Sequence, residues 1–270
     1  IVGGRTSMGK TSCAMQICLN AAQNGASCIF FSLEMTKEQL ARRALSTVSG
    51  ITDYEIRNKE LDDNQTILLI KTAGQLAESM IVIDDSSYLS AYDLQVRSRQ
   101  MKHKYKTDIV VVDYLQLMQF SQTQNLARAV GDVAKMCKNL AKDIRGAVIL
   151  TSQVRRTTAE QSEKRRPTLS DLKESGDIEA SADIVILVHR KDKESTHGEL
   201  IVAKDRNHGG TGNYDVAFDH FQTRFLTKSH EDFQWVWDAE TKENLREKRK
   251  EYVAIDMNES LNEVIDNMDY

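Results

Sequence analysis

The chain has 270 residues, 40% hydrophobic and 28% charged, proportions that suit one large α/β domain able to bury a full core. A net charge of −4 excludes a general basic coat for a polyanion, and no apolar run reaches the length of a membrane helix. No stretch has the layout of a signal peptide, and no membrane partner is expected.

The elements alternate along the chain. Ile1–Gly3 predicts a strand and Lys10–Asn24 a helix, with Gly4-Arg5-Thr6-Ser7-Met8-Gly9-Lys10-Thr11 between them. That octapeptide fits G-x-x-x-x-G-K-[ST], the phosphate-binding loop, in its required strand–loop–helix setting. Glycines let backbone N–H groups turn toward phosphate oxygens, and the following helix presents its positive end. Lys10 then reaches the β/γ-phosphates and Thr11 can hold Mg²⁺. Gly4, Ser7, Gly9, Lys10, Thr11 and Cys13 are the candidate nucleotide-binding residues. The chain begins inside a strand without an initiator methionine and reads as a fragment of a longer protein.

Further strands are expected at Ser27–Leu33, Met80–Asp84, Ile109–Asp113, Ala147–Ser152, Ile184–His189 and Leu200–Lys204, and an antiparallel ribbon at Tyr214–Phe218 and Thr223–Leu226. Helices are expected at Lys37–Ser49, Asn64–Glu78, Ala91–Tyr105, Leu126–Arg145 and near Ile178–Ser181, with Thr36/Gln39 and Ser90/Asp93 as starting caps. This order predicts a mostly parallel sheet covered on both faces. Residues 154–170, which hold the only proline, Pro167, read as a mobile polar loop. Cys13, Cys18, Cys28 and Cys137 lack metal-type spacing and read as core thiols in a reducing compartment.

Three strand ends carry candidate chemistry. Ile109-Val110-Val111-Val112-Asp113 is an apolar strand ending in an acid, the Walker B pattern that supports Mg²⁺. Phe30-Phe31-Ser32-Leu33-Glu34 places Glu34 where it could act as general base toward a water, although Asp84 and Asp85 also end a strand. Val148-Ile149-Leu150-Thr151-Ser152-Gln153 ends in an amide that can bond a γ-phosphate or its water and report its loss. The loop beyond carries Arg155, Arg156, Lys164, Arg165 and Arg166, either a solvated charged loop or a contact to nucleic-acid phosphates.

In order, these segments are Gly-Arg-Thr-Ser-Met-Gly-Lys-Thr, Ser-Leu-Glu-Met, Val-Val-Asp-Tyr-Leu-Gln-Leu-Met, Thr-Ser-Gln-Val-Arg-Arg, Asp171-Leu172-Lys173-Glu174-Ser175-Gly176-Asp177-Ile178-Glu179 and Ala203-Lys204-Asp205-Arg206-Asn207. The series resembles the C-terminal ATPase domain of the replicative DNA helicases of the DnaB family, from residue 1 to about 226. The resemblance implies a RecA-like α/β fold, with ATP and Mg²⁺ as cofactors and a homohexameric ring whose ATP sites lie between subunits. It also implies travel 5′→3′ on single-stranded DNA, primase and loader partners, and the cytoplasm of a bacterial or phage-infected cell. By motif position, Lys10 and Thr11 would bind phosphate and Mg²⁺, Glu34 would be the base, Asp113 the Walker B acid, Gln153 the γ-phosphate sensor, and Arg43 a supporting cation. Lys204 and Arg206 match a Lys-x-Arg finger that enters the neighbouring subunit's site. The strand-tracking loop maps to Lys173, Glu174 and Gly176, with Lys173 where many members carry arginine.

Two other readings remain open on these residues, a recombinase forming filaments on single strands and a non-motor P-loop switch or loader. Residues 1–237 are expected to form the RecA-like domain, with the N-terminal part of the full protein absent. Residues 238–270 carry net −5 and read as an acidic tail, either helical or disordered. Leu261, Val264, Ile265 and Met268 at helical spacing there suit a partner-docking helix or a solvated tail.

Overall fold

The alternating pattern resolves into one nine-stranded sheet in a computed structural model, which describes residues 1–118, 126–154, 165–172, 175–207 and 210–249. Its strands are β1 (Val2–Gly4), β2 (Cys28–Ser32), β3 (Ile81–Asp84), β4 (Ile109–Asp113), β5 (Ala147–Gln153), β6 (Ile184–Arg190), β7 (His197–Asp205), β8 (Gly212–Asp219) and β9 (Arg224–Leu226). They lie in the order β3-β2-β4-β5-β1-β6-β7-β8-β9. The first six in that order are parallel, whereas β6 to β9 pair antiparallel. The antiparallel portion is therefore wider than the ribbon read from sequence, because β7 returns directly beside β6.

The helices are α1 (Lys10–Gln23), α2 (Lys37–Ser49), α3 (Asp53–Asn58), α4 (Asp63–Glu78), α5 (Ala91–Tyr105), α6 (Leu126–Ile144), α7 (Ser175–Ser181) and α8 (Phe233–Asp238). Capping boxes open α2 at Thr36/Gln39 and α5 at Ser90/Asp93, as the sequence predicts. A third box, Thr52/Glu55, opens α3, a six-residue helix too short to announce itself by periodicity.

The central strands are buried on both faces, which is why they read as unbroken apolar runs rather than alternations. Ile29 and Phe31 of β2, with Val110 and Val112 of β4, pack toward α5 and α6. Phe30 and Val111 point the other way, toward α1 and α2. Each such side chain contributes about 1.5–3 kcal/mol by leaving water. All four cysteines are buried and free, as expected for core thiols.

The chain continues to pack beyond β9. Phe233 and Val236 of α8, and Leu245 in a helical stretch over 242–249, bury themselves against Ala217 and Leu226. The boundary expected after residue 237 is thus no break in packing. Leu261, Val264, Ile265 and Met268 lie outside the described residues.

Candidate active site

The parallel strands all deliver their C-terminal ends to one edge of the sheet, the side on which open α/β sheets hold ligands. β1 lies between β5 and β6, with Gly4 opposite Gln153 on one side and Val188 on the other. Ser32 is opposite Asp113 one pair further along. The sheet therefore assembles the phosphate loop, Asp113, Gln153 and the turn after β2 around one cleft of about 780 Å³.

The loop itself is shaped by close packing. Gly9 caps α1 at φ 101°, left-handed backbone that favours glycine. A Cβ there would come within 2.7 Å of the Phe225 ring, so no side chain fits. Gly4 serves by the same absence, since a Cβ would stand 3.0 Å from the Val188 carbonyl oxygen and 3.1 Å from Lys10 Cγ. Ser7 is also left-handed, at φ 63°. Its carbonyl accepts a 2.7 Å hydrogen bond from Arg190.

Lys10 Nζ donates to the Arg5 carbonyl at 2.9 Å across the loop. Burial pulls its ammonium below the usual lysine range, while Asp113 and Glu34 pull the other way. Thr11 Oγ1 donates to Asp113 Oδ2 at 2.7 Å, and Thr151 Oγ1 donates to Asp113 Oδ1 at 2.5 Å. Both oxygens of this buried carboxylate are thereby held. An oxygen-only pair of this kind suits a hard cation such as Mg²⁺, which relies on phosphates and water for its other ligands. No cluster of three or more His, Cys, Asp or Glu that could hold a metal ion occurs among the described residues.

Glu34 follows β2 into the cleft wall. The turn is fixed where Ser32 Oγ donates to the Met35 carbonyl at 2.7 Å and accepts from its N–H at 3.2 Å. The rival acids are occupied elsewhere: Asp84, on the edge strand β3, pairs with Arg97 at 2.8 Å, and Asp85 accepts from the Lys37 N–H at the start of α2. Arg43 also lines the cleft, while neighbouring Arg42 turns away to Asp53 at 2.6 Å. Desolvation lowers the Arg43 pKa, opposed by Asp53, Asp113 and Glu34. Gln153 Nε2 donates to Thr6 Oγ1 at 2.7 Å, tying the end of β5 to the phosphate loop.

Not every expected residue joins this cleft. The Cys13 side chain packs in the core with Val2 and Phe218, burial pushes its thiol up to about 12, and its N–H donates to the Gly9 carbonyl at 2.8 Å. Lys204 and Arg206 stand at the opposite edge of the sheet, beside the start of β6 (Ile184 is opposite Asp205). Lys204 donates to the Glu179 carbonyl at 2.5 Å, and Arg206 to the Ala180 carbonyl at 2.6 Å. Gly176 is exposed in the first turn of α7. Arg155, Arg156, Lys164, Lys173 and Glu174 lie outside the described residues, whereas Arg165 and Arg166 pair with Asp171 and Glu199.

Two residues at the site are given no role by the motifs. Thr151 is one, inside the Thr-Ser-Gln-Val-Arg-Arg segment but not singled out there. The other is Arg190, the last residue of β6, whose guanidinium lies 4.1 Å over the Phe218 ring and bonds the Ser7 and Ser195 carbonyls. Burial brings its pKa down to about 10. The signal was available: a strand ending in a charged residue at the ligand edge, the same logic that singles out Asp113.

Fold and site together define a P-loop nucleotide-binding domain of RecA-like architecture. A model of the DnaB-like helicase C-terminal domain matches residues 1–227. The chain belongs to that family, the DnaB-like helicase C-terminal domains. It is 35% identical over 260 residues to the replicative DNA helicase DnaB of Rickettsia felis, covering 83% of this chain and 52% of that protein. It is 36% identical over 243 residues to a probable replicative DNA helicase of Trieres chinensis, covering 84% and 52%. The chain thus spans about half the length of the curated relatives it matches. Among solved structures, an isolated ATPase domain superposes with a TM-score of 0.76 at 30% identity, covering 84% of this chain and 83% of that one. The structure of a DnaB-like replicative helicase and its interactions with primase gives the same score and identity, covering 84% and 56%.

Proposed function

We propose that this domain is the ATP-driven motor of a replicative DNA helicase, working in a ring of six copies that travels 5′→3′ on single-stranded DNA. One observation carries the reading: the phosphate-loop cleft lies at one edge of the sheet, and the Lys204/Arg206 pair at the other. The seven residues of β6 separate the two edges, a span of about 20 Å at the usual strand rise. A finger that cannot reach its own cleft suits one that serves a neighbour's, and an in-trans arginine makes hydrolysis depend on subunit contact.

Within the cleft, Lys10 and the backbone of Ser7–Gly9 would hold the phosphates of ATP. Thr11 and Asp113 would hold Mg²⁺, which supplies charge neutralisation at the β- and γ-oxygens. Glu34 would orient and deprotonate the attacking water, with Arg43 supporting its charge. Gln153, already bonded to Thr6, would carry loss of the γ-phosphate toward Arg155 and Arg156. Lys173, Glu174 and exposed Gly176 would follow the DNA backbone without reading bases. Primase and a loader are the partners this role requires.

The test is strand displacement on a forked substrate by the full-length protein, alongside electron microscopy. ATP-dependent displacement by closed rings is expected. Open filaments without displacement would favour a recombinase, and ATP binding with little DNA-stimulated turnover would favour a switch; either outcome overturns the motor reading.

The grip of Thr151 on Asp113 yields a prediction of its own. Thr151→Val keeps the strand's shape but leaves a buried carboxylate oxygen without its donor, at a cost of about 1–3 kcal/mol. Loss of such a supporting bond weakens metal sites by about 10–100-fold. A higher Mg²⁺ requirement for half-maximal turnover is expected, with a lower unfolding midpoint. An unchanged Mg²⁺ requirement would mean that Thr151 only packs.

A further inference from the structure

The segment 239–249 lies beyond the residues the family model matches, which end at 227, yet it is fixed beside the cleft. The Thr196 N–H donates to the Glu240 carbonyl at 2.9 Å, and the Lys242 N–H to the Glu194 carbonyl at 2.7 Å. Ser195 and Thr241 form an antiparallel bridge between these two bonds. Further on, Leu245 is fully buried and Arg249 donates to the Gly50 carbonyl at 3.0 Å. The backbone is therefore held on both sides of Lys242.

Lys242 lines the phosphate cleft and also a second cavity of about 950 Å³, as do Glu194, His220 and Thr223. Tyr54 and Phe221 line the far part of that second cavity. The two cavities thus adjoin, with Lys242, Glu194, His220 and Thr223 on the wall they share. Other cations nearby are engaged: Lys193 pairs with Glu194 at 3.9 Å, and Arg190 bonds the Ser7 and Ser195 carbonyls. His220 stays neutral, pushed down to about 4 by burial first and then by Arg190. Lys242 has no carboxylate within ion-pair distance among the described residues. The phosphate loop fixes where the β- and γ-phosphates go. The wall shared by the two cavities then offers a path for the remainder of a nucleotide.

We infer that Lys242 is a further nucleotide-binding residue, which contacts the phosphate next to the nucleoside where the two cavities meet. The C-terminal segment is thereby a wall of the nucleotide site rather than a solvated appendage. This rests on the ATP-site reading above. Its chemistry is ordinary: an ammonium on a pre-positioned backbone meeting a phosphate oxygen in a partly enclosed groove.

The experiment is equilibrium binding of ATP and of ADP to the full-length protein, with Lys242→Ala, Lys242→Glu, Lys242→Arg and Lys10→Ala in parallel. For Lys242→Ala, dissociation constants for both nucleotides should rise by about 5- to 10-fold, the range of one partly exposed charge-assisted bond. Lys242→Glu should lose more, and Lys242→Arg should retain most of the affinity. Unchanged binding by Lys242→Glu, while Lys10→Ala binds poorly, overturns this inference and leaves the ATP site standing. Unchanged binding by both variants overturns the ATP site as well. A loss for ATP with none for ADP would put Lys242 at the terminal phosphate and overturn the assignment to the junction.

Discussion

Lys10→Ala is expected to reduce ATP turnover by at least about 10²–10³-fold, the usual cost of removing a group aimed at developing phosphate charge. The argument is local. Lys10 is the first residue of α1, its ammonium crosses the loop to the Arg5 carbonyl at 2.9 Å, and Asp113 and Glu34 both act on its charge. Alanine keeps the helix and removes only the cation. Asp113 stays held by Thr11 and Thr151, so the fold should survive and the unfolding midpoint should shift little. Hydrolysis assayed with and without single-stranded DNA, next to a thermal melt, separates loss of chemistry from loss of structure. DNA-stimulated turnover that persists in the variant would remove the phosphate loop from the mechanism.

The catalytic edge is legible in the sequence to the extent that each element carries its own label. Asp113 and Gln153 end apolar strands, and the loop at residues 4–11 has fixed spacing, so local pattern suffices to find them. Arg190 also ends a strand at that edge, but its label does not say what the guanidinium meets. Its value comes from the adjacency of β6 to β1, which brings its guanidinium to Ser7, a residue 183 positions away. Thr151 reads as β-branched filler in a buried strand until β4 and β5 are seen side by side. What sets Glu34 apart from Asp84 as a candidate is likewise topological, because β3 is the edge strand and its acid is taken by Arg97. Cys13 lies close to the loop in sequence, but a helical turn carries its side chain to the core. The packed segment after β9 hides for a similar reason: its charge dominates its composition, whereas a few apolar residues, Phe233, Val236 and Leu245 among them, anchor it to the core.

Arg206→Ala should lower hydrolysis by about 10³–10⁵-fold, the range for an arginine that stabilises phosphoryl-transfer charge from a neighbouring chain, while nucleotide binding is largely kept. The structural cost is small. Arg206 is half-exposed, its 3.5 Å pair with Asp183 is at the surface, and Asp183 retains Lys138 when Arg206 is gone. Exposed pairs of this kind are worth about 0–1 kcal/mol. The stronger test combines two inactive proteins. Rings that mix Lys10→Ala with Arg206→Ala contain some joints where an intact phosphate loop from one variant meets an intact finger from the other. For random mixing in a head-to-tail ring, about a quarter of the joints qualify. ATPase activity should therefore reappear on co-expression, although neither variant has it alone. If co-expressed rings form and remain inactive, or if a strictly monomeric sample hydrolyses ATP at the full rate, Arg206 does not act across the joint. Activity that returns would mean that the cleft at residues 4–11 is completed only by another copy of the chain.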